Sequence, residues 1–209
     1  MKRILLTGCG SKTGKFLAQE YINAGWEVHA IGSTPVEGAT NYTKDWDALR
    51  PEDVERYSYQ LPELDAIWFN HNRPSPPTAK NIQSGILTQY DMNQWNKAIW
   101  VNNQFPILLI GLLKDRLSDN STIGWAMGWG DINRDIDSPS WDCLGYGFEK
   151  VNNLMIMKAM ARNHHSICYM IEPGHIEDRK LSANQIFEAQ MRLSPSDNGN
   201  IIKGYSVSA

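Results

Sequence analysis

The chain has 209 residues, 42% hydrophobic and 21% charged, values that suit one globular domain spanning 1–209 with a sizeable core. Its net charge of −3 offers no electrostatic footprint for nucleic acid or an anionic membrane surface. The longest apolar run, Phe105–Leu113, carries Pro106 and Gly111 and falls far short of the roughly 20 residues that span a bilayer.

Taken in chain order, Lys2–Thr7 reads as a first strand, entered almost at once and without the apolar core of a signal peptide, so a cytoplasmic protein is expected. Lys12–Ala24 reads as a helix with Phe16, Leu17, Tyr21 and Ile22 on one face. Glu27–Ile31 is the second strand and Ala39–Thr43 the third, with only Gly32–Gly38 between them. That is too short for the usual crossover helix, so a patch of sheet is expected to lie open there. Pro51–Leu61 reads as a short helix with proline in its first turn, and Leu64–Asn70 as a buried strand. A proline-rich loop, Arg73–Pro77, precedes a long helical pattern over Met92–Leu117, bent near Pro106 and Gly111.

Ser121–Met127 is the fifth strand, Gly128–Leu144 a long loop, and Tyr146–Arg162 a helix. Ser166–Ile171, Ala183–Arg192 and Asn200–Lys203 close the chain as strand, helix and strand. Short strands alternating with longer helices predict an α/β fold: a Rossmann-type doubly wound parallel sheet in three α/β/α layers. Cys9, Cys143 and Cys168 are odd in number and lack metal spacing, which suits a reducing compartment. No metal site emerges among the histidines. His164 and His165 are expected at a helix C-terminus as cations facing the dipole.

The first strand runs into Thr7-Gly8-Cys9-Gly10-Ser11-Lys12-Thr13-Gly14, which opens the first helix. Glycines there let the backbone turn sharply and approach a pyrophosphate, which meets the free amides and positive dipole end of the helix. The second strand ends Ile31-Gly32-Ser33-Thr34 with no acid to repel a 2′-phosphate. Ser33, Thr34 and Lys12 therefore favour NADP, with NAD the alternative. Lys12 also reads as a solvated helix-start lysine. Further along, Tyr146 and Lys150 stand four residues apart on one helix face. The lysine cation lowers the phenol pKa, so the tyrosine can pass a proton to a carbonyl oxygen as hydride arrives.

Together these segments resemble the short-chain dehydrogenases/reductases, of which the chain looks like a short, divergent member. The glycine turn is similar to the family's Thr-Gly-x-x-x-Gly-x-Gly, with Lys12 at the middle glycine. Asp65–Asn72 resembles the strand ending Asn-Ala-Gly, with Asn70 matching and His71 and Asn72 in place of the small residues. Trp95 through Val101-Asn102 resembles the Trp-(five residues)-Val-Asn helix, Pro173-Gly174-His175-Ile176 the turn beside the nicotinamide, and Asn198–Ile202 the last strand.

The resemblance implies catalytic Tyr146, Lys150 and Asn102, the last holding a water linked to the lysine. It implies cofactor contacts from Gly8, Gly10, Ser11, Lys12, Thr13, Gly14, Ser33, Thr34, Asp45, Trp46, Asn70, Tyr146, Lys150, Pro173, Gly174 and Ile176. Asp45 reads equally as a loop cap. The family's serine at the end of the fifth strand is missing, since Ala126 or Met127 stands there. Asp131, Asn133, Ser138 or Ser140 from the following loop are the candidate substitutes.

The expected function is an NAD(P)-dependent oxidoreductase acting on a small carbonyl-type substrate. Alternatives are a catalytically silent dinucleotide-binding sensor or scaffold, and a related lyase or epimerase. The apolar surfaces of Met92–Leu117 and Tyr146–Arg162, with Met155, Met157 and Met160, predict a homodimer or homotetramer, since the equivalent family helices pair between subunits.

Overall fold

The computed structural model describes residues 1–42, 50–71, 73, 89–127, 144–173 and 179–204; for residues 89–91, 144–146 and 179 it describes only the backbone. Seven strands, β1 (Arg3–Thr7), β2 (Glu27–Ile31), β3 (Thr40–Asn41), β4 (Leu64–Phe69), β5 (Leu117–Ala126), β6 (Ile167–Glu172) and β7 (Ile201–Lys203), form one sheet. The order is β3-β2-β1-β4-β5-β6-β7 and every pairing is parallel. The chain winds outward in one direction from β1 and in the other from β4. The crevice between the carboxyl ends of those two strands is the switch point at which such sheets bind ligands.

The central strands are nearly continuous apolar runs because both faces are covered. On one face Leu5, Ile67, Ile123 and Met170 meet α2 (Pro51–Ser58), α4 (Phe105–Leu113) and α5 (Leu144–Asn163) through Val54, Phe105, Leu109 and Met157. On the other, Ile4, Leu6, Val28, Ala30 and Ile171 meet α1 (Lys12–Asn23) and α6 (Arg179–Met191) through Leu17, Tyr21, Ala183 and Ile186. Three α/β/α layers result, as the alternation of segments implied. Across β4, β5 and β6 the register places Gly124 between Trp68 and Tyr169. A Cβ at Gly124 would stand 2.5 Å from both rings. Its absence lets them stack over the middle strand, with centroids 6.0 Å apart.

Four expectations are corrected. The patch left by the missing helix between β2 and β3 is closed, since Val28 and Ala30 are buried. The short loop itself does this. Val36 packs into the same cluster, and the Asn41 amide pins the loop by accepting from Val36 N (2.9 Å) and donating to the carbonyls of Val36 and Ala39. The helical pattern 92–117 breaks at a π-turn, Trp100–Gln104, between α3 (Gln89–Ile99) and α4, and not at Gly111. Pro106 has no N–H, so it sits in the first turn of α4, and the wider turn, with Phe105 N–H donating to Trp100 O, falls just before it. Met157 is core and not surface, while Met155 is exposed. Burial, followed by the neighbouring His165, lowers the pKa of His164, whose Nδ1 accepts from Ser166 N–H. It is therefore a neutral packing residue, not a dipole-facing cation.

The expected proline-rich loop from 74 onward and the long loop to residue 143 lie outside the described residues. Among the described residues no helix is long and apolar enough to cross a membrane, and no group of three or more potential ligands could hold a metal.

Candidate functional site

The glycine turn leaves β1 through Gly8, whose φ of +70° is the left-handed conformation a side chain would strain. A Cβ there would also lie 2.6 Å from the His71 nitrogen, so the turn packs directly on the end of β4. Ser11 caps α1: its hydroxyl accepts from Gly14 N–H and donates to Gly8 O, both at 3.0 Å. Asn70 Nδ2 donates to the same hydroxyl at 3.3 Å. A Cβ on Gly14 would collide with the Gly8 carbonyl, and one on Gly10 would stand 2.5 Å from Ser33 Oγ. The turn is thus stripped of side chains where Ser33 and Thr34, both exposed, come off β2 beside it. Among the described residues nothing accepts from the backbone N–H groups of Lys12 and Thr13, which leaves donors at the positive end of a twelve-residue helix. A bare backbone cradle with unclaimed amides fits a dinucleotide pyrophosphate.

Facing this cradle across the switch point is a buried polar group. His71 Nδ1 accepts from Thr7 Oγ1 at 2.6 Å, and its ring also bonds the Val101 backbone. Burial first, then the charge of Lys150, holds the His71 pKa down at about 3. It is therefore a neutral strut between the end of β1 and the π-turn. Asn102, in that π-turn, accepts from Arg73 N–H (2.8 Å) and donates to Arg73 O (2.9 Å), fixing the chain as it leaves β4. The same amide donates to Glu149 Oε2. Lys150 Nζ donates to Ala126 O at 2.9 Å. Burial lowers its pKa to about 8, with Glu149 opposing the shift, so the ammonium persists at neutral pH in a largely enclosed place.

The structure therefore brings together Gly8, Gly10, Ser11, Lys12, Thr13, Gly14, Ser33, Thr34 and Asn70 on the β1 side of the crevice. Asn102 and Lys150 stand on the β4–β5 side. Pro173 lies at the end of β6, where Gly204 packs on it. Asp45, Trp46, Gly174 and Ile176 lie outside the described residues, as do the substitutes Asp131, Asn133, Ser138 and Ser140. Tyr146 lies in the first turn of α5, one helical turn before Lys150, and its side chain is outside the description. The end of β5 carries Ala126 and buried Met127, so no hydroxyl stands at the family serine's place on the strand itself.

Sequence reading missed His71, Glu149 and the Asn103–Asn153 pair (2.8 Å) as buried polar residues. A signal existed on α5. Glu149, Lys150, Asn153 and Met157 follow the i, i+1, i+4, i+8 stripe of one helix face, which makes three consecutive stripe positions polar.

No family model matches the chain, and no curated protein matches it by sequence. Solved structures do match it along nearly its whole length. A protein of Escherichia coli CFT073 assigned as a short chain dehydrogenase, in complex with NADPH, is 17% identical with a TM-score of 0.77, covering 98% of this chain and 97% of its own. A Burkholderia multivorans protein assigned to the short-chain dehydrogenases/reductases, with bound NADP, is 17% identical with a TM-score of 0.74 over 97% and 96%. The aldohexose dehydrogenase of Thermoplasma acidophilum, in ligand-free form, is 13% identical with a TM-score of 0.76 over 100% and 96%. The fold is that of the short-chain dehydrogenases/reductases. At these identities the likeness is one of architecture, and the short-chain dehydrogenase fold positions the ends of β1, β4 and β5 as described above.

Proposed function

We propose that this chain is an NAD(P)-dependent oxidoreductase of the short-chain dehydrogenase type, preferring NADP and reducing a small carbonyl-type substrate. The observation that carries the reading is the meeting, at one switch point, of a glycine-lined helix-capped turn with a buried lysine ammonium and Asn102. When bound, the reduced dinucleotide supplies the hydride. The chain's own residues do the rest. The amides of Lys12 and Thr13 hold the pyrophosphate, and Ser33, Thr34 and Lys12 receive the 2′-phosphate. Lys150 favours the phenolate of Tyr146 and bonds the ribose, and Tyr146 gives its proton to the carbonyl oxygen. Asn102 holds the water that returns the proton.

The absence of a hydroxyl on β5 at Ala126 and Met127 favours a second reading, a dinucleotide-binding sensor without turnover. Calorimetry with NADPH and NADH, followed by a carbonyl panel read as NADPH oxidation, separates the two. NADPH should bind more tightly, and Tyr146→Phe should lower turnover by at least about 10²-fold while binding stays within about threefold. Binding with no turnover of any carbonyl, and a biological effect untouched by Tyr146→Phe, would favour the sensor. No uptake of either coenzyme ends both readings. Exposed Ile107 on α4 and Phe148 and Met155 on α5 support the further proposal of a homodimer or homotetramer; a monomer by light scattering at micromolar concentration would refute it.

A further inference from the structure

Glu149 is fully buried, which is costly for a carboxylate unless the surroundings answer its charge. Two elements converge on it. From the π-turn, Asn102 Nδ2 donates to Oε2. From the same turn, Asn103 Nδ2 donates to the Glu149 backbone carbonyl (3.0 Å) and to Asn153 Oδ1 (2.8 Å). From its own helix comes Lys150, its neighbour in sequence. The Asn102 amide that touches Glu149 is the one that clamps the Arg73 backbone.

We propose that Glu149 is a positioning residue: its buried carboxylate holds the Asn102 amide on the chain leaving β4 and gives Lys150 a fixed negative neighbour. Two arguments carry this. Asn102 Oδ1 accepts from Arg73 N–H and one Nδ2 hydrogen goes to Arg73 O, which leaves the other for Glu149 to receive; a flipped Asn102 would lose all three bonds. Secondly, among the described residues the titratable groups acting on Lys150 are Glu149 from α5 and neutral His71 from the end of β4. β5 offers the uncharged carbonyl of Ala126, and the π-turn offers the uncharged amides of Asn102 and Asn103. Among the described residues Glu149 is thus the anion that opposes the desolvation of the ammonium. Its consequence for turnover rests on the reading of Tyr146 and Lys150 above; its effect on Lys150 itself does not.

The test follows the 13Cε resonance of Lys150 against pH in 13C-lysine-labelled protein, assigned by its loss in Lys150→Met. The wild-type midpoint should lie near 8. Glu149→Gln keeps an acceptor for Asn102 but removes the charge, and should lower the midpoint by about one unit, a tenfold change in the acid constant. Glu149→Asp, which keeps the charge, should stay within about half a unit. A role in helix packing alone would leave the Lys150 midpoint unmoved in Glu149→Gln, and that result overturns the proposal. Should Glu149→Gln fail to fold, the wild-type Glu149 13Cδ resonance decides. It should report a carboxylate at pH 7 with a second small inflection at the Lys150 midpoint, and a carboxyl still protonated at pH 7 overturns the proposal. Calorimetry with NADPH on the same samples keeps the two ideas apart: no uptake ends the cofactor reading, and the Lys150 titration still decides the role of Glu149.

Discussion

At Gly8 two penalties fall on one atom. The φ of +70° strains any side chain, and a Cβ would press on the backbone of His71 at 2.6 Å. Gly25, just after α1, has a similar φ of +80° but open space around it. Gly8→Ala should therefore cost about 3 kcal/mol, the left-handed strain plus overpacking, whereas Gly25→Ala should cost about 1 kcal/mol from strain alone. Urea unfolding of the two variants checks this, and equal losses would show that the contact with β4 contributes nothing. The need for glycine at position 8 was legible in the sequence, because a sharp strand-to-helix turn demands it wherever it occurs. The atom it presses against was not, because His71 is 63 residues further along the chain. Its neutrality is equally a tertiary fact, arising from burial between Thr7 and Val101.

Among elements, the strands and helices that follow a clear apolar period were legible nearly to the residue: Glu27–Ile31, Lys12–Asn23 and the helix carrying Lys150 stand where the pattern puts them. The departures occur where two elements negotiate. The π-turn at Trp100–Gln104 inserts one extra residue into the helical ladder. It aims Asn102 at Arg73 and Glu149, and Asn103 at Asn153, a placement that no periodicity over 92–117 encodes. The short β2–β3 link likewise read as an exposed gap, yet Val36 fills it, because three bonds from one Asn41 amide fold the link into a plug.

For the molecule as a whole, burial of ionisable groups sets the pH range of stability. His71 is held at about 3 against an ordinary 6.5, and burial also lowers His29 and His164. The unfolded chain therefore takes up protons first as the pH falls, so the stability these groups contribute is present above 6.5 and is lost towards 3, by about 4–5 kcal/mol for His71 alone. On the alkaline side burial raises Cys9 and Cys168 from 9.0 to about 12, and raises Tyr21 and Tyr169. Their unfolded forms ionise first, which lowers stability above 9. Lys150, depressed from 10.5 to about 8, acts the other way between those values, but the two thiols outnumber it. Unfolding free energy measured in urea should be level from about pH 6.5 to 8, rise slightly towards 9 as Lys150 loses its proton, and fall on both sides of that range; a maximum at pH 5 would contradict the burial of these groups.

The order of strands and helices, the bare turn after β1, and the spacing of Tyr146 and Lys150 were determined by the amino-acid sequence alone, because each depends on residues within a few positions of one another. Tertiary structure alone decided which polar groups share the crevice, that Lys150 spends a bond on Ala126 O, and that Glu149 lies buried against Asn102. Those facts depend on desolvation and on partners tens of residues away, and neither is written in local pattern.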